Sequence, residues 1–356
     1  MNDEKKLQEI DTWYDKNFRA YESCAREVSN IIEKILKKKN IPFHSITYRV
    51  KEKDSYLEKC RKDKYKNPVE EIMDLSGIRI ITYTNKDVQT ICEIVKKEFC
   101  IDEKNSENKS QRMGEDQVGY LSVHYIATMK EDRIKLSEYS DYKDIRNEIQ
   151  IRTLLQHAWA EIEHDRNYKF SGVLPPEIKR RFYLVAGVLE MKDREFDSLS
   201  EDIDKYSKET QDKLKKGDFD VSIDSTSLEK YVLLKFKSKC IKTSLKGEIV
   251  DDVVIKELYR FGFKKIQDIE NVLTEKMLEK LEVNTKNNTY IGLLRDMMMI
   301  LDIDKYFNKA YRNSWGGTDI ETVNQFRKLG INLQKYMKKY DMIIDEDYDE
   351  YENEDI

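Results

Sequence analysis

The chain has 356 residues, of which 39% are hydrophobic and 37% are charged, and this composition predicts a soluble globular protein long enough for two domains. No apolar run approaches the roughly 20 residues needed to span a bilayer, and the first six residues lack the apolar core of a signal peptide. We therefore expect a cytoplasmic protein without membrane contact. Five scattered cysteines without a Cys-x-x-Cys pair predict buried free thiols, and argue against a disulfide framework or a zinc site.

The net charge of −5 is unevenly distributed along the chain. Residues 341–356 contain nine Asp or Glu and no Lys or Arg, so the remainder carries a charge of +4. A mildly basic body with an acidic tail is compatible with a polyanionic substrate such as a nucleotide or RNA.

The N-terminal third begins with a helical pattern over residues 4–39, which Pro42 ends. Residues 43–51 then read as a strand that places Arg49 and Lys51 on one face. Residues 55–66 predict a short basic helix with Ser55 near its N-terminus, where backbone N–H groups favour an anion.

Residues 74–83 predict an aliphatic strand in which the Arg79 guanidinium must find an anion or an aromatic face. A helical pattern follows over residues 86–99, and the polar stretch 102–118 reads as a mobile loop. Residues 118–127 predict a further strand with Tyr120, Ser122 and His124 on one face.

The segment 146–169 combines a strand and a helix. Glu148, Gln150 and Arg152 alternate with isoleucines, which places an acid, an amide and a guanidinium on one face. From Thr153 the apolar spacing becomes helical, and Thr153 with Gln156 predicts a capping box. His157 and Glu161 have the i, i+4 spacing of a metal pair, but hydrogen bonding of this helix to the sheet is the simpler interpretation.

Strands with polar faces, interleaved with helices, predict an α+β fold in which helices flank a mixed β-sheet and the site lies across one face. Residues 175–213 begin with Pro175-Pro176 and continue with a helical pattern, which predicts a helix that packs on the sheet or on a second copy of the chain. The polar stretch 215–227 is the best boundary, and short helical segments follow it. We predict three parts: a domain over 1–215, a small helical regulatory domain over 216–340, and an acidic tail over 341–356.

Four motifs in order carry a family resemblance: Arg49-x-Lys-x-Lys-x-Ser, Asp74-Leu-x-Gly-x-Arg, Gly119-Tyr-x-Ser-x-His and Glu148-Ile-Gln-Ile-Arg-Thr. Trp159-Ala-Glu and Tyr168-Lys close the block. Together they resemble the synthetase domain of RelA/SpoT-family alarmone enzymes, which has a nucleotidyltransferase-like fold. The resemblance covers roughly residues 40–170.

The resemblance implies a Mg²⁺-dependent pyrophosphokinase that moves the β,γ-pyrophosphate of ATP onto a 3′-hydroxyl, releasing AMP. It assigns Asp74 as a Mg²⁺ ligand, and Glu148 as a second ligand or as the base. The residues implied for ATP binding are Arg49 and Arg79, stacking on adenine, with Lys51, Ser55 and Lys59 on the triphosphate. The residues implied for acceptor binding are Tyr120, stacking on the base, with His124, Gln150 and Arg152.

The acceptor is the open point of this interpretation. Stress-response members commonly have Pro, Lys and Asn ahead of the Gly-Tyr pair, whereas this chain has Gly114-Glu-Asp-Gln-Val118 and lacks that cation. The first hypothesis is a small alarmone synthetase that uses GDP or GTP, with the C-terminal domain for oligomerisation or regulation. No hydrolase domain precedes the block, so we expect synthetase activity alone.

The second hypothesis is a toxic synthetase resembling the fused toxin–antitoxin type called CapRel. Such an enzyme modifies the 3′-CCA end of tRNA, and a regulatory phage protein that acts on the C-terminal domain releases it from inhibition. The resemblance implies that Tyr348 and Tyr351 of the tail occupy the ATP site. A catalytically silent nucleotide-binding regulator is the third hypothesis, and the presence of both carboxylates argues against it.

Overall fold

The computed structural model describes residues 2–108, 122–169, 175–238, 250–282 and 289–345. Contacts divide the chain into two units, Met1–Glu201 and Asp202–Ile356. The boundary predicted at residue 215 instead coincides with the end of a helix, Pro176–Lys215, that runs across this division. Within the described ranges, no helix is both long and apolar enough to cross a membrane.

The first unit is built on a mixed sheet. Its strands, in chain order, are β1 Ser45–Val50, β2 Ser76–Thr82, β3 Phe99–Ile101, β4 Glu107–Asn108, β5 Val123–Met129 and β6 Asn147–Thr153. The spatial order is β1-β2-β6-β5-β3, with β4 also paired to β5. Strands β2 and β6 are parallel, whereas the other neighbouring pairs are antiparallel. This arrangement confirms the predicted α+β fold.

The helices of the first unit are α1 Asn2–Lys38, α2 Lys53–Cys60, α3 Pro68–Glu71, α4 Asn85–Glu98, α5 Glu131–Ile134, α6 Leu154–Lys169 and the start of α7 Pro176–Lys215. The predicted first helix is therefore confirmed as one unbroken element. The predicted basic helix over 55–66 is wrong in its bounds, because α2 ends at Cys60. Tyr56 and Cys60 anchor α2 in a small core, whereas residues 61–66 offer mainly exposed charged side chains.

One face of this sheet is the core. Ile78, Ile80, Ile149 and Ile151 are fully buried there against aliphatic side chains of α1 and α4. Because side chains alternate along each strand, the intervening residues point to the opposite face. The cross-strand register places Thr47, Arg79, Gln150 and His124 in one row on that second face. The polar face predicted from alternation is confirmed for these strands.

Four of the five cysteines fall in the described ranges, whereas Cys240 lies outside them. Cys24, Cys60 and Cys92 are buried free thiols as expected, but Cys100 is exposed on β3. Its neighbours on the strand, Phe99 and Ile101, point to the other face, so alternation turns Cys100 outward.

The second unit is helical, as predicted. Its helices are the end of α7, then α8 Ser225–Ser238, α9 Asp252–Phe261, α10 Ile266–Val272, α11 Glu275–Glu282, α12 Tyr290–Lys305, a π-helix Tyr306–Ala310, α13 Ile320–Lys328 and α14 Leu333–Lys339. A single apolar core joins them, with Leu228, Tyr231, Leu258, Met298 and Phe326 fully buried. The helical patterns over residues 266–281 and 320–337 each form two helices, separated at Leu273 and around Gly330, where a φ of 78° favours glycine.

The first residues of the predicted acidic tail, 341–356, include a short strand. Strand β8, Ile343–Asp345, pairs in parallel with β7, Gly317–Asp319, so residues 343–345 belong to the second unit. Residues 346–356 lie outside the described ranges.

Candidate active site

Asp74 lies two residues before the start of β2 and contacts two lysines from different parts of the chain. Its Oδ2 accepts a hydrogen bond from Lys59 Nζ of α2 at 2.7 Å and lies 3.3 Å from Lys51 Nζ, just after β1. Burial alone would raise the pKa of Asp74, but the two ammonium groups outweigh it and lower the pKa. Its Oδ1 is buried and has no hydrogen-bond partner among the described residues. This oxygen is available to a ligand.

Glu148 is the second carboxylate of the site. Its Oε1 lies 2.9 Å from His124 Nδ1 on β5, and its Oε2 accepts from Gln150 Nε2 at 2.9 Å. The other nitrogen of His124 lies 2.7 Å from Ser122 Oγ. Burial opposes ionisation of Glu148, but the hydrogen bond and charge of His124, with the amide of Gln150, lower its pKa. Both carboxylates are therefore ionised at neutral pH.

Three strands surround a cavity of about 180 Å³. Its lining includes Asp74, Glu148, Gln150, Arg49 and Arg79, five of the residues assigned from sequence. Lys51 and Lys59 border it through Asp74. Sequence reasoning missed the further lining residues Thr47, Tyr48, Gly77 and Ile78. Gly77 and Ile78 fall inside the motif that begins at Asp74, whereas Thr47 and Tyr48 directly precede the motif that begins at Arg49.

Arg79 is paired with a residue that sequence reasoning left without a site role. Its Nη1 donates to Glu161 Oε1 of α6 at 2.9 Å, which supplies the anion that the strand arginine was expected to need. The position of Glu161 in the Trp159-Ala-Glu motif was the available signal. His157 Nδ1 lies 3.7 Å from the same oxygen, and no metal cluster occurs in the described ranges. The bridge from Glu161 to β2 supports the hydrogen-bonding interpretation of this helix.

Arg152 is the most deeply buried cation of this face, at 5% exposure. It donates through Nη2 to Gln150 Oε1, while its Nε has no partner among the described residues. Burial, together with the positive charge of Arg79, lowers its pKa to about 10. Arg152 still carries its charge at neutral pH, without a neutralising ion pair in the described ranges.

Other assigned residues are less closely associated with the cavity. Ser55 lies exposed on α2 and does not line the cavity. Tyr120, Tyr348 and Tyr351 lie outside the described residues, so their assignments stay predictions.

The junction between β6 and α6 sets the position of the strand's polar face. Gln156 N donates to Thr153 Oγ1 at 3.1 Å and Thr153 N donates to Gln156 Oε1 at 3.0 Å, which confirms the predicted capping box. Thr153 Oγ1 also donates to Asp193 Oδ2 of α7 at 2.6 Å, a contact that the sequence did not indicate. One buried hydroxyl therefore links strand and helix to α7.

Replacing Thr153 by Val should lower the free energy of unfolding by about 2–4 kcal/mol, because the helix cap and the hydrogen bond to a buried carboxylate are both lost. Urea denaturation measures the change. Thr90→Val is the matched control, since Thr90 Oγ1 bonds only to a backbone carbonyl on an exposed face of α4. The control should change stability by no more than about 0.5 kcal/mol. An equal loss of unfolding free energy in Thr153→Val and Thr90→Val would contradict the stabilising role of the two Thr153 contacts.

The lowered pKa values of Asp74 and Glu148 also predict how stability depends on pH. A carboxyl whose pKa is lower in the folded state stabilises that state above its unfolded pKa, and this stabilisation is lost as pH falls through the folded pKa. The ordinary values are 3.8 and 4.5. We expect the free energy of unfolding to decrease as the pH is lowered below 4.5. The decrease should be less steep in the variant Glu148→Gln. The unfolding free energy is measured by urea titration at several pH values. If it depended on pH equally in the original chain and in Glu148→Gln, the lowered pKa of Glu148 would be contradicted.

Known proteins resemble the part of the chain that forms this site. The sequence profile of the region found in RelA and SpoT proteins matches residues 48–173. The GTP pyrophosphokinase YjbM of Bacillus subtilis is 32% identical over 164 residues, covering 44% of this chain and 72% of YjbM. The GTP pyrophosphokinase YwaC of the same organism is 26% identical over 135 residues, covering 38% of this chain and 61% of YwaC.

Among solved structures, small alarmone synthetase 1 from Bacillus subtilis matches with a TM-score of 0.47 and 27% identity, covering 55% of this chain and 99% of that one. The sequence relation to YjbM extends over most of that protein, and the matched segment contains Asp74, Arg79 and Glu148. The chain therefore belongs to the RelA/SpoT family, with a synthetase domain of the small alarmone synthetase type.

Proposed function

We propose that the first unit is an ATP-dependent pyrophosphokinase that transfers the β,γ-pyrophosphate of ATP to the 3′-hydroxyl of GDP or GTP. The observation that carries the proposal is the cavity between two ionised carboxylates, Asp74 and Glu148, with two strand arginines in its lining and two lysines, from α2 and the end of β1, bound to Asp74. The relatives YjbM and YwaC, both GTP pyrophosphokinases, support the same reaction. Bacillus small alarmone synthetase 1 has been crystallised with pppGpp and with AMPCPP.

The donor would lie on the β1 and β2 side of the cavity. Arg49 is exposed and Arg79 is half-buried, and both line the cavity, so their planar guanidinium groups can stack on the two faces of adenine. Lys51 and Lys59 now bind Asp74, and triphosphate oxygens would give these ammonium groups further anionic partners. Ser55 of α2 is the remaining candidate contact for the triphosphate.

The residues present fit a magnesium ion. Mg²⁺ in nucleotide sites is usually held by one or two carboxylates together with phosphate oxygens and water. Asp74 Oδ1 is a buried carboxylate oxygen without a protein partner in the described ranges, and Glu148 lines the same cavity. These two residues would hold the ion, which would supply charge neutralisation to the phosphates of ATP.

The acceptor would lie on the β6 and β5 side. In the proposed reaction the 3′-oxygen bonds to the β-phosphorus of ATP, the bond from that phosphorus to the α,β-bridging oxygen breaks, and AMP leaves with the electron pair. The hydroxyl proton passes to a base, for which Glu148 is the candidate. The lowered pKa of Glu148 makes it a weak base and favours its role as a metal ligand. Gln150, His124 and Arg152 would orient the ribose or phosphate of the acceptor.

The test is incubation of the full chain with ATP labelled on the γ-phosphate and with GDP, GTP or deacylated tRNA in separate reactions. Label transferred to GDP or GTP, with stoichiometric AMP, supports the proposal. Label transferred to the 3′ end of tRNA alone would replace it with the tRNA-modifying alternative. AMP formation and label transfer absent from all three reactions would favour the regulator without catalysis.

The hypothesis that the tail occupies the ATP site can be tested with the same assay. Deletion of residues 346–356 removes Tyr348 and Tyr351, and an ATP-mimicking tail predicts higher activity and toxic expression after this deletion. That the chain forms a homo-oligomer, and that a regulatory protein binds its C-terminal domain, are also proposals.

A further inference from the structure

Glu161 of α6 is the one carboxylate in the described ranges that forms an ion pair with an arginine of the active-site cavity. Its Oε1 accepts a hydrogen bond from Arg79 Nη1 at 2.9 Å. Glu161 itself does not line the cavity, and its side chain is 55% exposed. An ion pair with so exposed a partner adds little to folding stability, because solvent screens the attraction. Its effect on the position of Arg79 is therefore the more important one.

Arg79 lies among other positive charges. Arg49 lines the same cavity, and the charge of Arg79, after burial, is a cause of the lowered pKa of Arg152. The pKa of His157, one turn before Glu161 on α6, is lowered by burial and then by the charges of Arg79 and Arg152. The charge of Glu161 acts in the opposite direction on both pKa values. Without Glu161, repulsion would favour positions of the Arg79 side chain farther from the cavity.

The hydrogen bond to Glu161 uses the edge of the Arg79 guanidinium. The N–H groups of a guanidinium lie in its plane, so a carboxylate that accepts from Nη1 approaches the edge and leaves the flat faces open. Stacking on a base uses a face instead. The backbone end of the side chain is fixed as well, since Arg79 lies on β2 between Ile78 and Ile80, which are fully buried. Arg79 can therefore keep its partner while a base stacks on it.

We propose that Glu161 is a positioning residue that holds the Arg79 guanidinium in place for the adenine of ATP. The inference rests on the proposed function, in which Arg49 and Arg79 stack on the two faces of the base. An arginine that is already held loses less conformational freedom when the nucleotide binds, so the affinity is higher without any new contact. Glu161 acts on the nucleotide through Arg79 and touches neither the phosphates nor the acceptor.

The test is calorimetric titration of the full chain with the ATP analogue AMPCPP and Mg²⁺, which measures binding whether or not pyrophosphate is transferred. Glu161→Ala should raise the Kd for AMPCPP about tenfold, which corresponds to about 1.4 kcal/mol. Glu161→Gln keeps an oxygen that can accept from Arg79, and should raise the Kd by no more than about threefold. Inorganic tripolyphosphate has no base, so Glu161→Ala should not weaken its binding.

Two comparisons separate positioning from a general loss of structure. In a chain that carries Arg79→Ala, the further change Glu161→Ala should leave the Kd for AMPCPP unchanged, because the side chain through which it acts is gone. Glu98→Ala is the matched control. It removes the partner of Arg133, an arginine that has the same 26% exposure as Arg79 but does not line the cavity. This control should not alter the affinity for AMPCPP.

The possible outcomes distinguish this role from the proposed function. Unchanged AMPCPP affinity in Glu161→Ala would overturn the positioning role and leave the pyrophosphokinase standing. Equally weakened binding of tripolyphosphate, or a further loss in the Arg79→Ala chain, would overturn it too, because Glu161 would then act otherwise than through Arg79. Failure of the unaltered chain to bind AMPCPP would overturn the ATP site together with this role. Binding of AMPCPP without transfer to any acceptor would contradict the transfer reaction alone.

Discussion

Replacement of Asp74 by Asn, or of Glu148 by Gln, should lower kcat/KM for pyrophosphoryl transfer by about 10³-fold or more, corresponding to about 4 kcal/mol of transition-state stabilisation. The reason for Asp74 is its buried Oδ1, which has no partner in the described ranges and belongs to a residue that lines the cavity proposed to bind ATP. The reason for Glu148 is its ionised carboxylate on the same cavity. Both changes keep side-chain volume, so the fold should survive.

The controls for this prediction are Asp87→Asn and Glu98→Gln, which alter acidic residues of α4 and leave the cavity lining unchanged. Release of AMP from labelled ATP measures the rate, and circular dichroism establishes that each variant is folded. Near-normal turnover in both site variants would remove the two carboxylates from the mechanism. Loss in only one of them would assign the essential role to that residue alone.

Much of the first unit could be predicted because the polar residues proposed for the site also form the alternating pattern that identifies the strands. Alternation over Glu148, Gln150 and Arg152 predicts the polar face, and the structure places Gln150 beside Arg79 and His124. The capping box was readable because Thr153 and Gln156 are three residues apart. The contact of Thr153 with Asp193 was not readable, since 40 residues separate the partners and no local pattern relates them.

The second unit shows where local patterns fail. Apolar spacing over residues 266–281 fits one helix, but the chain breaks at Leu273, which is buried in the common core. Tertiary packing there overrides helix propensity. The pair β7 and β8 has three residues in each strand, separated by two helices, and such short parallel pairing has no sequence signature.

Arg152 connects stability to function, because a buried cation is costly unless something pairs with it. Arg152 is 5% exposed and its guanidinium bonds to a neutral amide. Burial and the positive charge of Arg79 lower its pKa, against the opposing charges of Glu161 and Glu148. No carboxylate of the described residues is within ion-pair distance of it. An anionic group of the acceptor nucleotide would supply the missing partner, which explains why a protein would keep this charge at the edge of its core.

Arg152→Met should therefore make the protein more stable and less active. We expect the free energy of unfolding to rise by about 1–3 kcal/mol, because a buried charge without a direct ion pair in the described ranges is replaced by an apolar side chain of similar length. We expect kcat/KM for GDP or GTP to fall by about 10²-fold, since one charge-assisted hydrogen bond to the acceptor is lost, with little change in the KM for ATP. Urea denaturation and steady-state kinetics with each substrate varied measure the two effects.

Arg133→Met is the matched control for Arg152→Met. Arg133 has a carboxylate partner, with its Nη2 2.8 Å from Glu98 Oε2, and it does not line the active-site cavity. Its replacement should leave the kinetics unchanged and should not stabilise the protein. If Arg152→Met instead unfolded the chain, the guanidinium would have a structural partner and the buried charge would not be held for a substrate. If its activity fell only through the KM for ATP, Arg152 would belong to the donor side of the cavity.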